Sequence, residues 1–263
     1  MPRTVIAQIS DPHIAGPNDE LFEGSDPVGN LSRALTHAAR RAEAIVITGD
    51  LAARAGTDEE YVGFKKVIDD CGIEVLLAAG NHDESEKVRR IWGIEGVNGR
   101  LDHVRELSVG RLITMDSSRH GREDGVLDDE QMEWLAALLA DGAPSVIAMH
   151  HPCVLLGGPA LAAVSLEAPS IERLARVVAA HDNVLTVCSG HAHMAYSAPF
   201  AGTMAHVSPS VAYEFDFRGR DLIYRPGFPQ YMEYSWGTGG KGFLARHVNV
   251  VDDDEWLTMA TLL

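Results

Sequence analysis

The chain has 263 residues, 46% hydrophobic and 23% charged, enough apolar material for a full core in one large domain or two small ones. Its 38 acidic against 22 basic residues give a formal net charge of −16, which opposes binding to long nucleic acid or an anionic membrane; cations held in one cleft would reverse the field locally for a small anion. Cys71, Cys153 and Cys188 are widely spaced and form no C-x-x-C, so neither a disulfide framework nor a thiolate zinc site is suggested.

The run Thr4 to Ile9 predicts a first strand with no basic-then-apolar leader before it, and no apolar run approaches the roughly 18 residues of a membrane helix. The expectation is a cytoplasmic protein, neither exported nor membrane-embedded. The strand empties into Ser10-Asp11-Pro12-His13, where extended backbone would turn Asp11 and His13 to one side. Asp26-Pro27 has the form of an N-cap and first helical residue, and Val28, Leu31, Leu35 and Ala38 keep a helical spacing to about Arg41. Ala44 to Thr48 predicts a buried strand ending in Gly49-Asp50. Thr57 and Glu60 stand in capping-box spacing at the head of a helix that buries Tyr61, Phe64, Val67 and Ile68. The run Ile73 to Ala79 predicts a third strand, ending in Gly80-Asn81-His82-Asp83, with Asp83 as a cap for the next helix in its plainest reading.

After a helix near Glu84 to Ile91, Leu101 to Met115 predicts a hairpin turning at Val109-Gly110-Arg111 and ending at Asp116-Ser117-Ser118. A helix from Asp128 to about Ala140 leads to strand Ser145 to Met149 and His150-His151-Pro152, and a helix Ser170 to His181 leads to strand Val184 to Cys188 and Gly190-His191-Ala192-His193. Beyond Ala198 the short runs Thr203 to Val207, Val211 to Phe217, Tyr231 to Ser235 and Phe243 to Val250 are expected to form a second sheet packed on the first. Residues 1–200 would then be a core carrying every motif, and 201–263 the completion of that sheet with an aromatic-rich extension, in one domain overall. The eight aromatics between Tyr213 and Trp236 are either alternating core residues or a wall of a substrate cleft or protomer interface. The run Asp252-Asp253-Asp254-Glu255 is most simply a solvated turn.

Five predicted strands thus discharge Asp, His or Asn at their C-terminal ends, the edge where α/β sheets build sites. The blocks are Asp11-x-His13, Gly49-Asp50, Gly80-Asn81-His82-Asp83, His150-His151-Pro152 and Gly190-His191-x-His193. Mixed oxygen and imidazole donors suit iron, manganese, zinc or cobalt better than calcium or magnesium. Asp50, alone on its strand, is the natural bridge for two cations roughly 3.5–4 Å apart.

This ordered series resembles the calcineurin-like metallophosphoesterases, over Asp11 to His193. The likeness is greatest to the bacterial cyclic-nucleotide phosphodiesterase and glycerophosphodiesterase group, through the short Asp11-Pro12-His13 loop, Met149-His150-His151-Pro152, Asp116-Ser117-Ser118-Arg119, Gly125-Val126-Leu127-Asp128 and Trp134-Leu135. The resemblance implies a four-layer αββα sandwich of two mixed β-sheets flanked by helices, and two divalent or mixed-valence transition-metal ions. It implies Asp11, His13 and His193 on one ion, Asn81, His150 and His191 on the other, and Asp50 between them. His150 rather than His151 matches the ligand position, two residues before Pro152, which leaves His151 beside the site. Ala192 and Cys153 depart from residues common in the family, which bears on specificity and not on metal binding.

The implied reaction is in-line attack of a metal-held hydroxide on a small phosphodiester, a cyclic nucleotide or glycerophosphodiester, with His82 protonating the leaving alkoxide or bonding a phosphate oxygen. Asp83 and Asp116 are expected to orient imidazoles. His37, His103, His120, His181, His206 and His247 match no ligand position, with His120 and His206 nearest to the motifs in the predicted order. A phosphomonoesterase or nuclease on the same scaffold is the alternative, and a non-catalytic interaction module a more distant one. A homo-oligomer formed through the C-terminal region is a further expectation.

Overall fold

A computed structural model describes residues 3–16, 24–72, 74–157, 161 and 163–251. Ile73 and the Asp252–Glu255 run lie outside these described residues. The first half alternates strands and helices: β1 (Arg3–Ile9), α1 (Pro27–Ala39), β2 (Ala44–Thr48), α2 (Asp58–Asp69), β3 (Val75–Ala78) and α3 (Ser85–Trp92). A hairpin, β4 (His103–Glu106) and β5 (Arg111–Thr114), precedes α4 (Asp129–Leu139), β6 (Ser145–Ala148), α5 (Ala168–Ala179) and β7 (Val184–Ser189). The remainder is strand: β8 (Tyr196–Phe200), β9 (Thr203–Val207), β10 (Tyr213–Arg218), β11 (Asp221–Pro226), β12 (Gln230–Gly237) and β13 (Leu244–Asn249).

Local chemistry sets the helix starts. The Asp26 carboxylate accepts from the Gly29 amide ahead of Pro27, and Thr57 with Glu60 closes a capping box on α2. Asp128 and Gln131 close a second one on α4. Strand alternation then sorts the layers, because successive side chains point to opposite faces. Ala7 and Ile9 of β1 and Ile45 and Ile47 of β2 pack with α1, α2 and α3. Ile6, Ala44 and Val46 face the other way, onto Leu112, Val146, Ala148 and Cys188 of the second sheet. The far side of that sheet, Ile113, Ile147 and Val187, packs under α4 and α5. Three cores between four layers make the αββα sandwich.

The strand order departs from expectation. The first sheet runs β13-β12-β1-β2-β3 and the second β4-β5-β6-β7-β9-β8, with β10-β11 a separate hairpin. Of the four late runs assigned to the second sheet, Thr203–Val207 alone belongs to it. β12 instead lies antiparallel along β1, from Arg3 opposite Gly237 to Gln8 opposite Met232, and β13 continues that edge. The reason is the open edge of β1, whose unpaired backbone groups β12 satisfies while its Tyr234 and Trp236 side chains fill the core between the sheets. The aromatic run accordingly divides: Tyr231, Tyr234 and Trp236 are buried in the cores, whereas Phe215, Phe228 and Tyr224 keep exposure around the hairpin.

Candidate active site

Beneath the strand ends, buried polar residues lock the two sheets in register. The Gln8 amide donates to Thr48 Oγ1 at 3.0 Å and to the Ser189 carbonyl at 2.7 Å, while Tyr234 donates to Gln8 Oε1 at 2.8 Å. Gln8 therefore joins β1 to β2 in its own sheet and to β7 in the opposite one, just below the residues that leave those strands.

Above this layer, two donor sets converge. In the first, Asp11, His13, Asp50 and His193 are all buried, with donor atoms within 4.8 Å of one another. His13 Nε2 lies 3.0 Å from His193 Nε2 and 3.5 Å from Asp50 Oδ2, and His193 Nε2 lies 3.5 Å from Asp11 Oδ1. In the second, His150 Nε2 lies 3.0 Å from His191 Nδ1, 3.1 Å from Asn81 Oδ1 and 3.4 Å from Asp50 Oδ1. The two oxygens of Asp50 thus face different sets.

Asp11 and His13 converge as expected, but through a different backbone. Both have positive φ, 52° and 42°, where the extended segment read from the sequence requires negative φ. The tight packing behind them leaves glycine no substitute at Gly190, where a Cβ would lie 1.8 Å from Ser10 Oγ and 2.5 Å from Asp11 Oδ2.

The outer nitrogens of three imidazoles fix which lone pairs face inward. His150 Nδ1–H donates to the Thr48 carbonyl at 2.8 Å, His193 Nδ1–H to the Tyr213 carbonyl at 2.9 Å, and His191 Nε2–H to the Glu123 carbonyl at 2.9 Å. With the hydrogen on the outer nitrogen, the inward nitrogen is left to act as an acceptor when the ring is neutral. Burial, reinforced by neighbouring imidazoles, pushes His13 and His191 well below the ordinary histidine range, so these rings are neutral near pH 7. Burial, with Asp11 and Asp83 nearby, pushes the Asp50 carboxyl well up. Facing lone pairs 3.0 Å apart beside buried carboxylates are an environment that a cation completes, and the donor types fit transition metals.

His82 stands beside the sets without joining them. Its Nδ1–H donates to the Arg54 carbonyl at 3.0 Å, its Nε2 points inward 3.9 Å from Asp50 Oδ2, and its backbone N–H donates to Asp50 Oδ1 at 3.1 Å. Its side chain is partly exposed. His151 is fully buried and close to His150 and His191; its Nδ1 is hydrogen-bonded to Ser117 Oγ at 2.9 Å, and among the described residues its Nε2 has no partner. Burial and the neighbouring His191 and His150 push its pKa well down.

The Asp83 and Asp116 carboxylates hold backbone and hydroxyls, and neither carboxylate hydrogen-bonds an imidazole among the described residues. Asp83 accepts from the amides of Gly80, Leu51 and Ala52 and from Tyr61, tying the loop after β3 to the loop after β2. It does not cap α3, whose N-cap is Glu84. Asp116 accepts from the Leu101 amide and from the amide and hydroxyl of Ser118. His120 bonds the Asp83 carbonyl and His206 bonds Ser197, outside both donor sets. The carbonyls of Thr48, Glu123 and Tyr213 were not foreseeable as imidazole partners, because a backbone acceptor carries no residue signature. Tyr213, whose hydroxyl lies 3.4 Å from His13 Nε2, had a signal in the aromatic run it opens.

Comparisons with known proteins agree with this geometry. A family model for calcineurin-like phosphoesterases matches residues 4–195. The chain is 32% identical over 239 residues to a probable cyclic nucleotide phosphodiesterase of Rhodococcus erythropolis, covering 84% of this chain and 77% of that one. It is 29% identical over 199 residues to the glycerophosphodiester phosphodiesterase of Enterobacter lignolyticus, covering 72% and 70%. In structure, a dimetal phosphatase from Danio rerio aligns with a TM-score of 0.64 at 14% identity, covering 94% of this chain and 99% of that one, a likeness of fold. No helix among the described residues is long and apolar enough to cross a membrane. By the extent of the family match and the identity of its relatives, the chain belongs to the calcineurin-like phosphoesterases, a family of dimetal hydrolases.

Proposed function

We propose that the chain hydrolyses small phosphate diesters, either a cyclic nucleotide or a glycerophosphodiester, using two ions drawn from iron, manganese, zinc and cobalt. The reading is carried by the Asp50 carboxylate, which reaches both donor sets, with Oδ1 3.4 Å from His150 Nε2 and Oδ2 3.5 Å from His13 Nε2. In it, Asp11, His13 and His193 would hold one ion and Asn81, His150 and His191 the other, with Asp50 available to both. When bound, such a pair polarises phosphoryl oxygens and makes water a strong nucleophile at neutral pH.

The chain's own residues supply orientation and a proton. Carbonyl partners on His150, His191 and His193 keep those rings aimed inward. His82 is aimed by the Arg54 carbonyl, so in its protonated form Nε2–H points at the site and donates to the leaving alkoxide. Its partial exposure lets the ring recover a proton from solvent between turnovers. The Ser117 hydroxyl fixes the His151 ring beside the second set, where it walls the site.

The test is turnover of a chromogenic phosphate diester against the matching monoester, using metal-stripped protein reconstituted with manganese. A metal-dependent preference for the diester is expected. A preference for the monoester would make the chain a phosphomonoesterase, and no turnover with two ions bound would favour an interaction module.

A further inference from the structure

Beside the first donor set lies a cavity of about 470 Å³, inside the roughly 300–1,000 Å³ range of small-molecule sites. His193 belongs both to the donor set and to the cavity wall, which places the cavity next to the first set. The β10–β11 hairpin, Phe228 and the end of β13 also line the cavity. We propose that this cavity is the subsite for the nucleoside portion of a cyclic nucleotide, with Phe215 and Phe228 as its apolar walls and Glu214 as the acceptor for the base edge.

Two observations carry the proposal. First, the walls include flat aromatic surface: Phe215 is stacked on the His193 ring, with centroids 5.0 Å apart at 22°, and Phe228 also lines the cavity. Aromatic faces hold nucleobases by stacking, whatever the base. Second, the polar groups are fixed and unsuited to a second phosphate. Glu214 is held by Arg225, whose Nε donates at 2.7 Å, and by the Gln230 amide, which is itself set by His247 Nε2 at 2.7 Å from Gln230 Oε1. With Asp216 also on the wall, two carboxylates stand against one guanidinium, a balance that repels phosphate and accepts the amino or ring N–H of a base.

The inference rests on the phosphodiesterase reading for the direction in which a substituent leaves the phosphorus, but a neutral nucleoside tests the cavity without any turnover. Binding of adenosine to the full-length, metal-loaded protein is measured by equilibrium dialysis for the wild type, Phe215→Ala and Phe228→Ala. Phe228→Ala leaves the packing on His193 untouched, so it separates loss of a wall from disturbance of a site residue. Saturable binding weakened roughly 5- to 100-fold by each substitution is expected. In parallel, the ratio of kcat/KM for cyclic AMP to that for glycerophosphocholine is expected to fall by a similar factor in Phe228→Ala, through KM. Absence of saturable adenosine binding, or binding indifferent to Phe228, overturns the proposal, as does a loss in Phe228→Ala that falls on glycerophosphocholine instead. If neither diester turns over, the phosphodiesterase reading fails, and adenosine binding still decides the cavity.

Discussion

Five side chains of the site stand on backbone that residues with a Cβ avoid: Asp11, His13, Asp50, His191 and His193 have φ between 42° and 67°. Each such residue costs of order 1–3 kcal/mol, so the surrounding bonds must hold it. They do: the His191 amide donates to both Asp11 oxygens, Ser210 Oγ donates to the Asp11 carbonyl, and the His13 amide donates to the Asp50 carbonyl. Gly190→Ala would break this closure, since its new methyl overlaps Ser10 and Asp11. The expected outcome is loss of about one of the two ions and a fall in turnover of roughly 100-fold, in line with the cost of misplacing reactive groups by about 1 Å. Elemental analysis of dialysed protein checks the metal, and two retained ions would show that the loop adapts. His82→Ala is expected to lower turnover by roughly 10²- to 10⁴-fold with both ions kept; a lost ion would move His82 into the ligand set. The residue types at these positions were legible in the sequence because few side chains bind metals. Their left-handed backbone was not, since Asp and His show no preference strong enough to announce it.

The elements that could be read from sequence are those fixed locally. The caps at Asp26, Thr57 and Asp128 act within three residues, and the strand runs state their own burial. The return of β12 to β1 was hidden because it joins residues more than two hundred positions apart through backbone bonds. Tyr234 and Trp236 alternate equally well for either sheet. The same limit applies to Asp83, which sequence position suggests as a helix cap or imidazole partner, and which instead bonds amides of two loops. Asp83→Ala strands three buried N–H groups and the Tyr61 hydroxyl, each with a desolvation cost of about 1–3 kcal/mol that relaxation and water entry reduce. A net loss of about 2–4 kcal/mol in urea unfolding is expected. Asp83→Asn, which keeps one acceptor, should lose less; equal losses would mean the charge matters and not the acceptors.

At the scale of the whole molecule, stability should depend on pH through charge that the fold handles badly as well as charge it handles well. The net charge of −16 makes self-repulsion grow as carboxylates ionise. Asp102 sharpens this. It is 1% exposed, accepts from the Asp116 amide at 2.6 Å and from the Gln131 amide at 3.0 and 3.1 Å, and anchors the start of the Asp116–Ser118 loop against α4. Burial pushes its carboxyl up from 3.8 to about 7, with the Asp116 and Gln131 bonds only partly offsetting it. Between those two values the folded chain holds a proton that the unfolded chain has released. Stability from this group is therefore full below pH 4, falls as pH rises toward 7, and is level above that, a change on the order of 4 kcal/mol. Asp102→Asn removes the titration while keeping one oxygen acceptor. Unfolding free energies of the two proteins at pH 4.5, 6 and 8, with the same metal content, cancel the self-repulsion and ligand protonation they share. The variant should gain on the wild type steadily across that interval. A difference that stays constant with pH would show that Asp102 is ionised throughout, its burial compensated by the Asp116 and Gln131 bonds and by Arg100 nearby.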